Sequence, residues 1–192
     1  MRIGLYFGSF NPIHNGHLII ANHIATHCAV DEVWFVLSPQ NPLKESRSLL
    51  NEYHRLHLVK LAIQDNDRFK ASDIEFKLPK PSYTIDTLTY LSEKFPKNTF
   101  SVIMGSDSFQ NIHRWKNFEL LLQNYPVIIY QRPSFAVDPT QYPNASIEIV
   151  QAPMLAISAT YIRDQIKAGK PIRYLVPDEV CAYIEENRYY QL

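Results

Sequence analysis

The stretch GSFNPIHNGH, residues 8–17, separates an apolar segment, RIGLYF (2–7), from a helical pattern, LIIANHIA (18–25). This order predicts a strand that ends in a turn and leads directly into a helix. The first N–H groups of such a helix have no intrahelical partner, and they lie at the positive end of the helix dipole. The stretch therefore predicts an anion site, suited to phosphate, directly after the first strand.

The rest of the chain alternates strand-like and helical patterns. Apolar, β-branched runs that predict strands cover residues 32–37, 98–105 and 126–131, with shorter candidates at 69–76 and 146–152. Helical patterns cover residues 16–28, about 50–64, 83–94 and 117–123. Apolar strands that alternate with helices indicate a parallel sheet covered on both faces. We therefore predict an α/β fold, a doubly wound Rossmann-like sheet, with ligands at the carboxyl ends of its strands.

The pattern becomes entirely helical near residue 157. The segment SATYIRDQIKAG (158–169) offers Ser158 as a cap and Gly169 as a stop, and another helix begins near Pro177. We predict that residues 1–156 form the α/β domain and that 157–192 form a small helical C-terminal appendage of the same domain. The longest expected loop is residues 132–146, which contains three prolines.

Composition narrows the function classes. The 192 residues include 19 basic and 19 acidic side chains, a formal net charge of zero, which argues against a nucleic acid polymer as partner. A small phosphorylated ligand needs only a few local donors and remains compatible. No stretch has the length to span a bilayer, and Cys28 and Cys181 lie in apolar helical patterns typical of reduced thiols. We expect a cytoplasmic protein without a membrane partner, and the oligomeric state stays open, a homo-oligomer included.

Histidines at the start of the first helix are the first candidate site residues. His14 and His17 are three residues apart, so both point from the same side of the helix toward the anion site. Gly8 is interpreted as letting the backbone approach a ligand. Imidazole pairs also bind zinc, but Cys, Asp and Glu are missing around this pair. His23 and His27, four apart, form either a second ligand pair or a polar helix face.

Two motifs carry a resemblance to a known superfamily. The pattern G-x-F-x-P-x-H-x-G-H at residues 8–17 resembles the signature of the nucleotidylyltransferase superfamily, although Phe7 stands where many members have a second glycine. ISATYIR, residues 157–163, resembles the superfamily element I-S-x-T-x-I-R, with Ala159 where many relatives have a second serine. An arginine suits this element because its planar guanidinium donates two parallel hydrogen bonds to phosphate.

Two further segments, and two shorter or weaker matches beside them, resemble one family within that superfamily. KPSYTIDTL (80–88) and GSDSF (105–109), the latter followed by Trp115, are similar to elements of bacterial nicotinate-nucleotide adenylyltransferases. Arg132 and Pro133 fit the same family, and in SPQNPLK (38–44) only the lysine does. The resemblance implies a reaction in which ATP and nicotinate mononucleotide give deamido-NAD and pyrophosphate, with Mg²⁺ carried by ATP.

The resemblance also implies roles for individual residues. The implied catalytic residues are His14, His17, Lys44 and Arg163. The implied ATP-binding residues are Gly8, Ser9, Phe10, Gly105, Asp107, Ile157, Ser158 and Thr160, and those for the mononucleotide are Tyr83, Thr84, Trp115 and Arg132. No protein metal site is expected. Asp107 has three open roles: a ribose contact, a water-mediated contact to Mg²⁺, or a helix cap.

Three other functions remain as alternatives. Phosphopantetheine adenylyltransferases share the fold, but they usually have threonine at the first position of H-x-G-H and lack the P-S-Y-T segment. Glycerol-phosphate cytidylyltransferases are disfavoured by the same segment. A catalytically silent nucleotide sensor is disfavoured because neither histidine nor the arginine is lost.

Overall fold

The computed structural model describes residues 1–39 and 49–191, and its centre is a six-stranded parallel sheet. The strands are β1 (Arg2–Gly8), β2 (Glu32–Leu37), β3 (Phe69–Ser72), β4 (Thr99–Gly105), β5 (Val127–Tyr130) and β6 (Ile147–Val150). Their order across the sheet is β3-β2-β1-β4-β5-β6, and all five pairings are parallel. The predicted doubly wound Rossmann-like sheet is confirmed.

Seven α-helices accompany the sheet in the described parts of the chain. They are α1 (Asn15–His27), α2 (Glu52–Ile63), α3 (Thr84–Lys94), α4 (Ser106–Phe109), α5 (Phe118–Asn124), α6 (Ala159–Lys167) and α7 (Asp178–Glu186). Sequence patterns miss α4, because four residues are too few to show a helical period. The strand predicted over 69–76 is too long: it ends at Ser72, and Ile74–Lys77 is a 3₁₀ turn. Two further 3₁₀ turns of the described chain are Ile112–Arg114 and Pro139–Gln141, and the latter lies inside the expected loop.

Side chains of the sheet alternate between two apolar cores, one on each face. Along β1, Ile3 and Leu5 enter one core and Tyr6 enters the other. The first core contains buried residues of α3, α4 and α5, and the second contains buried residues of α1, α2, α6 and α7. This alternation follows from the period of two in a strand.

The C-terminal helices share the second core. Ile162 of α6 and Val180 and Ile184 of α7 are buried in the same apolar cluster as α1 and α2. α6 and α7 therefore cover part of one face of the sheet. No helix within residues 1–39 and 49–191 combines the length and the apolar character that a membrane crossing requires.

The position of β1 determines where a ligand binds. β1 lies between β2 and β4, and the helices that follow β1 and β4 pack on opposite faces of the sheet. The loop after β1 and the loop after β4 therefore diverge and leave a crevice at the carboxyl ends of the strands. Residues 9–14 line one side of this crevice, and Gly105 and Asp107 lie on the other.

Candidate active site

The first turn of α1 carries the two histidines as a stacked pair. Their ring centroids are 3.7 Å apart, with an angle of 25° between the planes. His14 is the N-cap residue of the helix and is only 6% exposed. A Cβ atom at Gly16 would lie 3.1 Å from the His14 ring, closer than the ring tolerates without moving. The glycine in H-x-G-H is therefore what lets the His14 ring lie against the first turn.

Phe10 supports this pair from behind. Its ring is buried and meets the His17 ring edge-on, with centroids 5.1 Å apart. A Cβ atom at Gly8 would lie 2.8 Å from the Phe10 ring. The structure thus adds a second reason for Gly8: the space beside its Cα is taken by Phe10, whose backbone has a φ of +43°. Both residues shape the loop that presents the histidines.

Both imidazoles are neutral at neutral pH. Burial, followed by the nearby charge of Arg132, lowers the pKa of His14 to about 4. Burial, His14 and Arg132 hold the pKa of His17 well below its usual range. The His14 backbone N–H donates to His17 Nδ1 (3.3 Å), so the neutral His17 ring carries its proton on Nε2. The pair thus supplies hydrogen-bond donors without a positive charge.

Asp107 and Arg132 lie on the opposite side of the crevice. Asp107 is in the first turn of α4, two residues after Gly105, and Arg132 follows β5. Arg132 Nε is 3.2 Å from Asp107 Oδ1 in an ion pair that lacks hydrogen-bond alignment. The Arg132 backbone N–H donates to Ser106 Oγ at 2.8 Å. Asp107 thus contacts a neighbouring guanidinium, a partner that the sequence analysis does not predict.

A pocket of about 490 Å³ opens beside Arg132, at the carboxyl ends of β5 and β6. Its volume is in the range of pockets that bind small molecules. Its lining residues are Gln131, Arg132, Pro133, Ser134, Ala136, Gln151, Ala152 and Met154.

The second motif reaches the first through Arg163. Ser158 caps α6, as the sequence predicts, by accepting a hydrogen bond from the Tyr161 N–H (3.1 Å). Arg163 donates through Nη1 to the carbonyl of Asn11 (2.7 Å) and through Nη2 to Thr160 Oγ1 (3.2 Å). Thr160 thus orients the arginine. Ile157 lies beside Gly16, so both ends of the ISATYIR segment adjoin the histidine loop.

The start of α3 carries Tyr83 and Thr84, two of the residues predicted for the mononucleotide. Tyr83 is the N-cap residue, and no side-chain cap bond is found for this helix among the described residues. Half-buried Trp115 packs on the same apolar core as Tyr83. The Lys116 ammonium lies 4.9 Å from the centre of the Tyr83 ring and pairs with Asp86 (2.8 Å). Tyr83 and Trp115, the aromatic residues predicted to contact the pyridine ring, therefore both pack against the apolar core that contains α3.

The remaining predicted residues differ in their placement. Ser9 precedes Phe10 in the loop after β1, Gly105 ends β4, and Thr84 begins α3. Lys44 lies outside the described residues. Within residues 1–39 and 49–191, no three His, Cys, Asp or Glu side chains gather as a metal site would require.

Two charged residues near the site escape the sequence analysis. Arg55 is fully buried, and Glu75 is 2% exposed. Arg55 directly precedes the apolar positions of α2, and Glu75 lies in a turn interpreted as strand. A charged residue in either place is usually exposed, so the sequence contains no signal that distinguishes them.

Comparisons with known proteins place these features in a family. Residues 5–165 match the family described as Cytidylyltransferase-like. Two full-length relatives bear the name "Probable nicotinate-nucleotide adenylyltransferase". The one from Flavobacterium psychrophilum is 50% identical over 192 residues and covers 100% of both chains. The one from Cytophaga hutchinsonii is 51% identical and covers 99% of this chain and 98% of its own.

A solved structure shares the fold at lower identity. Nicotinic acid mononucleotide adenylyltransferase of Plasmodium falciparum, complexed with NaAD, has a TM-score of 0.82. It is 22% identical, and the match covers 98% of this chain and 97% of that chain. This likeness concerns the arrangement of the whole sheet and its helices.

Proposed function

We propose that this chain, which belongs to the nicotinate-nucleotide adenylyltransferase family of Cytidylyltransferase-like proteins, transfers the adenylyl group of ATP to nicotinate mononucleotide. The products are deamido-NAD and pyrophosphate, and the reaction is a step of NAD biosynthesis. The relatives support this substrate pair because they match the chain from end to end.

The reaction needs alignment more than proton transfer. A phosphate oxygen of the mononucleotide attacks the α-phosphorus of ATP, a new P–O bond forms, and the bond to the β-phosphate oxygen breaks as pyrophosphate leaves. The attacking phosphate is already an anion at neutral pH, so no general base is required. The protein has to hold two anions in line and stabilise the charge on the transferring group.

The neutral histidines are suited to that task. His17 is fixed by ring stacking on His14 and by the edge of Phe10, so its Nε2–H is oriented before substrate binds. A fixed donor aimed at developing charge costs no reorganisation during the reaction. Arg163 adds a permanent charge, Lys44 is proposed to add another, and Mg²⁺ enters with ATP.

The contact between Arg163 and the Asn11 carbonyl carries this proposal. It joins the H-x-G-H loop to the helix of the second motif, 152 residues later in the chain, at a distance of 2.7 Å. A capped surface helix has no need of this contact. It supports a single phosphate site built from both ends of the chain.

The other surfaces accommodate the rest of the two substrates. The pocket beside Arg132 is proposed to hold part of ATP, together with Gly8, Ser9, Gly105 and Asp107. Arg132 is proposed to reach the phosphate of the mononucleotide. The first amides of α3, around Thr84, would donate to the nicotinate carboxylate, and Trp115 would stack on the pyridine ring.

Pyrophosphate release tests the proposal. The purified chain is mixed with ATP and Mg²⁺ and one acceptor at a time: nicotinate mononucleotide, nicotinamide mononucleotide, phosphopantetheine, or glycerol phosphate (the last also with CTP). We expect nicotinate mononucleotide to exceed its amide by about a hundredfold in kcat/KM, because two charge-assisted hydrogen bonds favour a carboxylate over an amide. Equal rates for the two mononucleotides would contradict the assigned substrate, and activity with another acceptor alone would replace it.

A further inference from the structure

Glu75 is a buried carboxylate to which the proposed reaction assigns no task. It lies in the 3₁₀ turn Ile74–Lys77 and is 2% exposed. Its Oε2 accepts a hydrogen bond from Ser82 Oγ (2.8 Å) and its Oε1 accepts one from Thr87 Oγ1 (3.0 Å). The Ser38 hydroxyl also donates to it. Burial raises the pKa of Glu75, and these three hydroxyls act against that rise.

Two of these donors enclose the start of α3. Ser82 directly precedes the N-cap residue Tyr83, and Thr87 lies one turn into the helix; both are buried. The Thr87 hydroxyl is also 3.3 Å from the Tyr83 carbonyl. One carboxylate therefore holds the first turn of α3 from both sides. The backbone amides proposed to receive the nicotinate carboxylate lie between the two bonds.

The third donor connects this clamp to the histidine loop. The carbonyl of Ser38, just after β2, accepts a hydrogen bond from Arg55 Nη1 (2.9 Å). The same nitrogen donates to the carbonyl of Ser9 (2.6 Å), and other Arg55 nitrogens donate to the Leu50 (2.7 Å) and Pro39 (2.9 Å) carbonyls. A continuous series of buried and partly buried polar contacts thus runs from the loop after β1 to the start of α3.

We propose that Glu75 is a positioning residue that sets the selectivity of the site for a carboxylate-bearing pyridine. By fixing the first turn of α3, it keeps two backbone donors at the spacing that a carboxylate accepts, and through Ser38 and Arg55 it fixes their distance from the histidine loop. Donors that are free to move adapt to a carboxylate or to an amide, and a fixed pair does not. This inference rests on the proposed function.

Glu75→Gln is the first test, because it keeps the volume and replaces one acceptor oxygen by an NH₂ donor. The Thr87 hydroxyl is then free to turn toward the Tyr83 carbonyl, which loosens the first turn. We expect kcat/KM for nicotinate mononucleotide to fall about tenfold, with the KM for ATP within about twofold of wild type. The ratio of kcat/KM between nicotinate and nicotinamide mononucleotides should fall by a similar factor. A merely structural role would lower both activities together and leave that ratio unchanged.

Thr89→Val is the matched control. Thr89 is also on α3, but its hydroxyl bonds the carbonyl of Ile85 (3.0 Å) in its own helix. We expect the selectivity ratio of this variant to equal that of wild type. A ratio that falls as far in Thr89→Val as in Glu75→Gln would overturn the assignment to Glu75.

Ser38→Ala separates the contact of Ser38 with Glu75 from its contact with Arg55. It removes the hydroxyl that bonds Glu75 and keeps the carbonyl that Arg55 holds. The selectivity ratio should fall by a few fold, and Ser38→Ala combined with Glu75→Gln should lower it by less than the product of the single effects. If Glu75→Gln does not fold, Ser38→Ala and Thr87→Val decide the question, and an unchanged ratio in both overturns the proposal. Wild-type protein that does not use nicotinate mononucleotide at all would instead refute the proposed function.

Discussion

The helices α1 and α6 both begin beside the proposed phosphate site, and they are capped in opposite ways. α1 begins with two imidazoles, His14 buried and His17 partly buried, that carry no charge at neutral pH. α6 begins with an exposed serine hydroxyl, and one turn later carries the permanently charged Arg163. The Asn11 carbonyl, in the loop before α1, accepts the hydrogen bond that joins the two.

This difference separates two tasks that a phosphate site has to perform. A neutral donor that neighbouring rings hold in one orientation gives direction to a hydrogen bond. A guanidinium attracts an anion over a longer distance and keeps its charge at any physiological pH. We infer that α1 orients the transferring phosphate and that α6 attracts and retains the triphosphate.

Among these predictions, the loss of the His17 ring from α1 should have the largest effect on activity. We expect His17→Ala to lower kcat/KM by roughly 10²–10³, the range observed when one fixed donor to a developing oxyanion is removed. The loss should appear mainly in kcat, because the donor acts on the transferring group. Steady-state kinetics with both substrates varied gives the measurement.

The stability of this variant is its control. Because His17 is only partly buried, the melting temperature of His17→Ala should stay near that of wild type. A variant that loses stability but keeps its specific activity when folded would make the imidazole a packing residue.

Arg163→Lys tests the α6 side while keeping the charge. Lysine does not form the forked contact, and it does not bond both Asn11 and Thr160 in the observed geometry. We expect kcat/KM to fall by roughly ten- to a hundredfold, with a higher KM for ATP. Lys167→Arg, at the far end of α6, is a matched control that should leave both constants unchanged. Wild-type turnover in Arg163→Lys would remove Arg163 from the catalytic residues.

The comparison also shows how far the sequence predicts this site. The Ser158 cap and the strand–turn–helix at residues 2–27 follow from local patterns, and the structure has both. The neutral state of the histidines depends on burial by distant segments and on Arg132, so sequence spacing does not reveal it. The second reason for Gly8 is likewise tertiary, since the ring of Phe10 occupies the space beside it.

Glu75 and Arg55 show a second limit to what the sequence predicts. Sequence patterns identify a buried position by its apolar residue, and both of these positions carry a charge. Their burial is explained by partners that come from separate loops: hydroxyls for Glu75 and backbone carbonyls for Arg55. Only the folded chain brings these partners together, and Lys44, which the motif also indicates, lies outside the described residues.

The low pKa of the His14 ring predicts that the free energy of unfolding depends on pH. The pKa of His14 is about 4 in the folded chain and about 6.5 in an unfolded one, so the unfolded chain binds more protons between these values. Stability from this group is therefore present above pH 6.5 and is lost as the pH falls toward 4. Between pH 7 and pH 5 the loss should be about 2 kcal/mol. Urea unfolding at both pH values measures it.

A histidine substitution isolates this contribution. His14→Gln removes the titrating ring, so the free energy of unfolding should vary less between pH 7 and pH 5 than it does in wild type. His113→Gln, at an exposed position, should keep the wild-type dependence. If His14→Gln kept it as well, the acid sensitivity would belong to another group.

The smallest effect concerns the charge that faces the histidines from across the crevice. Arg132 contributes to the low pKa of both His14 and His17, but burial is the larger cause for each. In Arg132→Gln the two pKa values should therefore rise and still stay below 6.5, as an NMR titration of the imidazole C–H signals would show. Asp107→Asn is the matched opposite: it removes the carboxylate 3.2 Å from Arg132 Nε, so the guanidinium acts unopposed and both pKa values should fall further. Shifts of opposite sign in the two variants would establish that charge from β5 and α4 tunes the α1 pair. Shifts of the same sign would mean that repacking changes the burial of the rings, and the neutrality of α1 would then be a property of its packing alone.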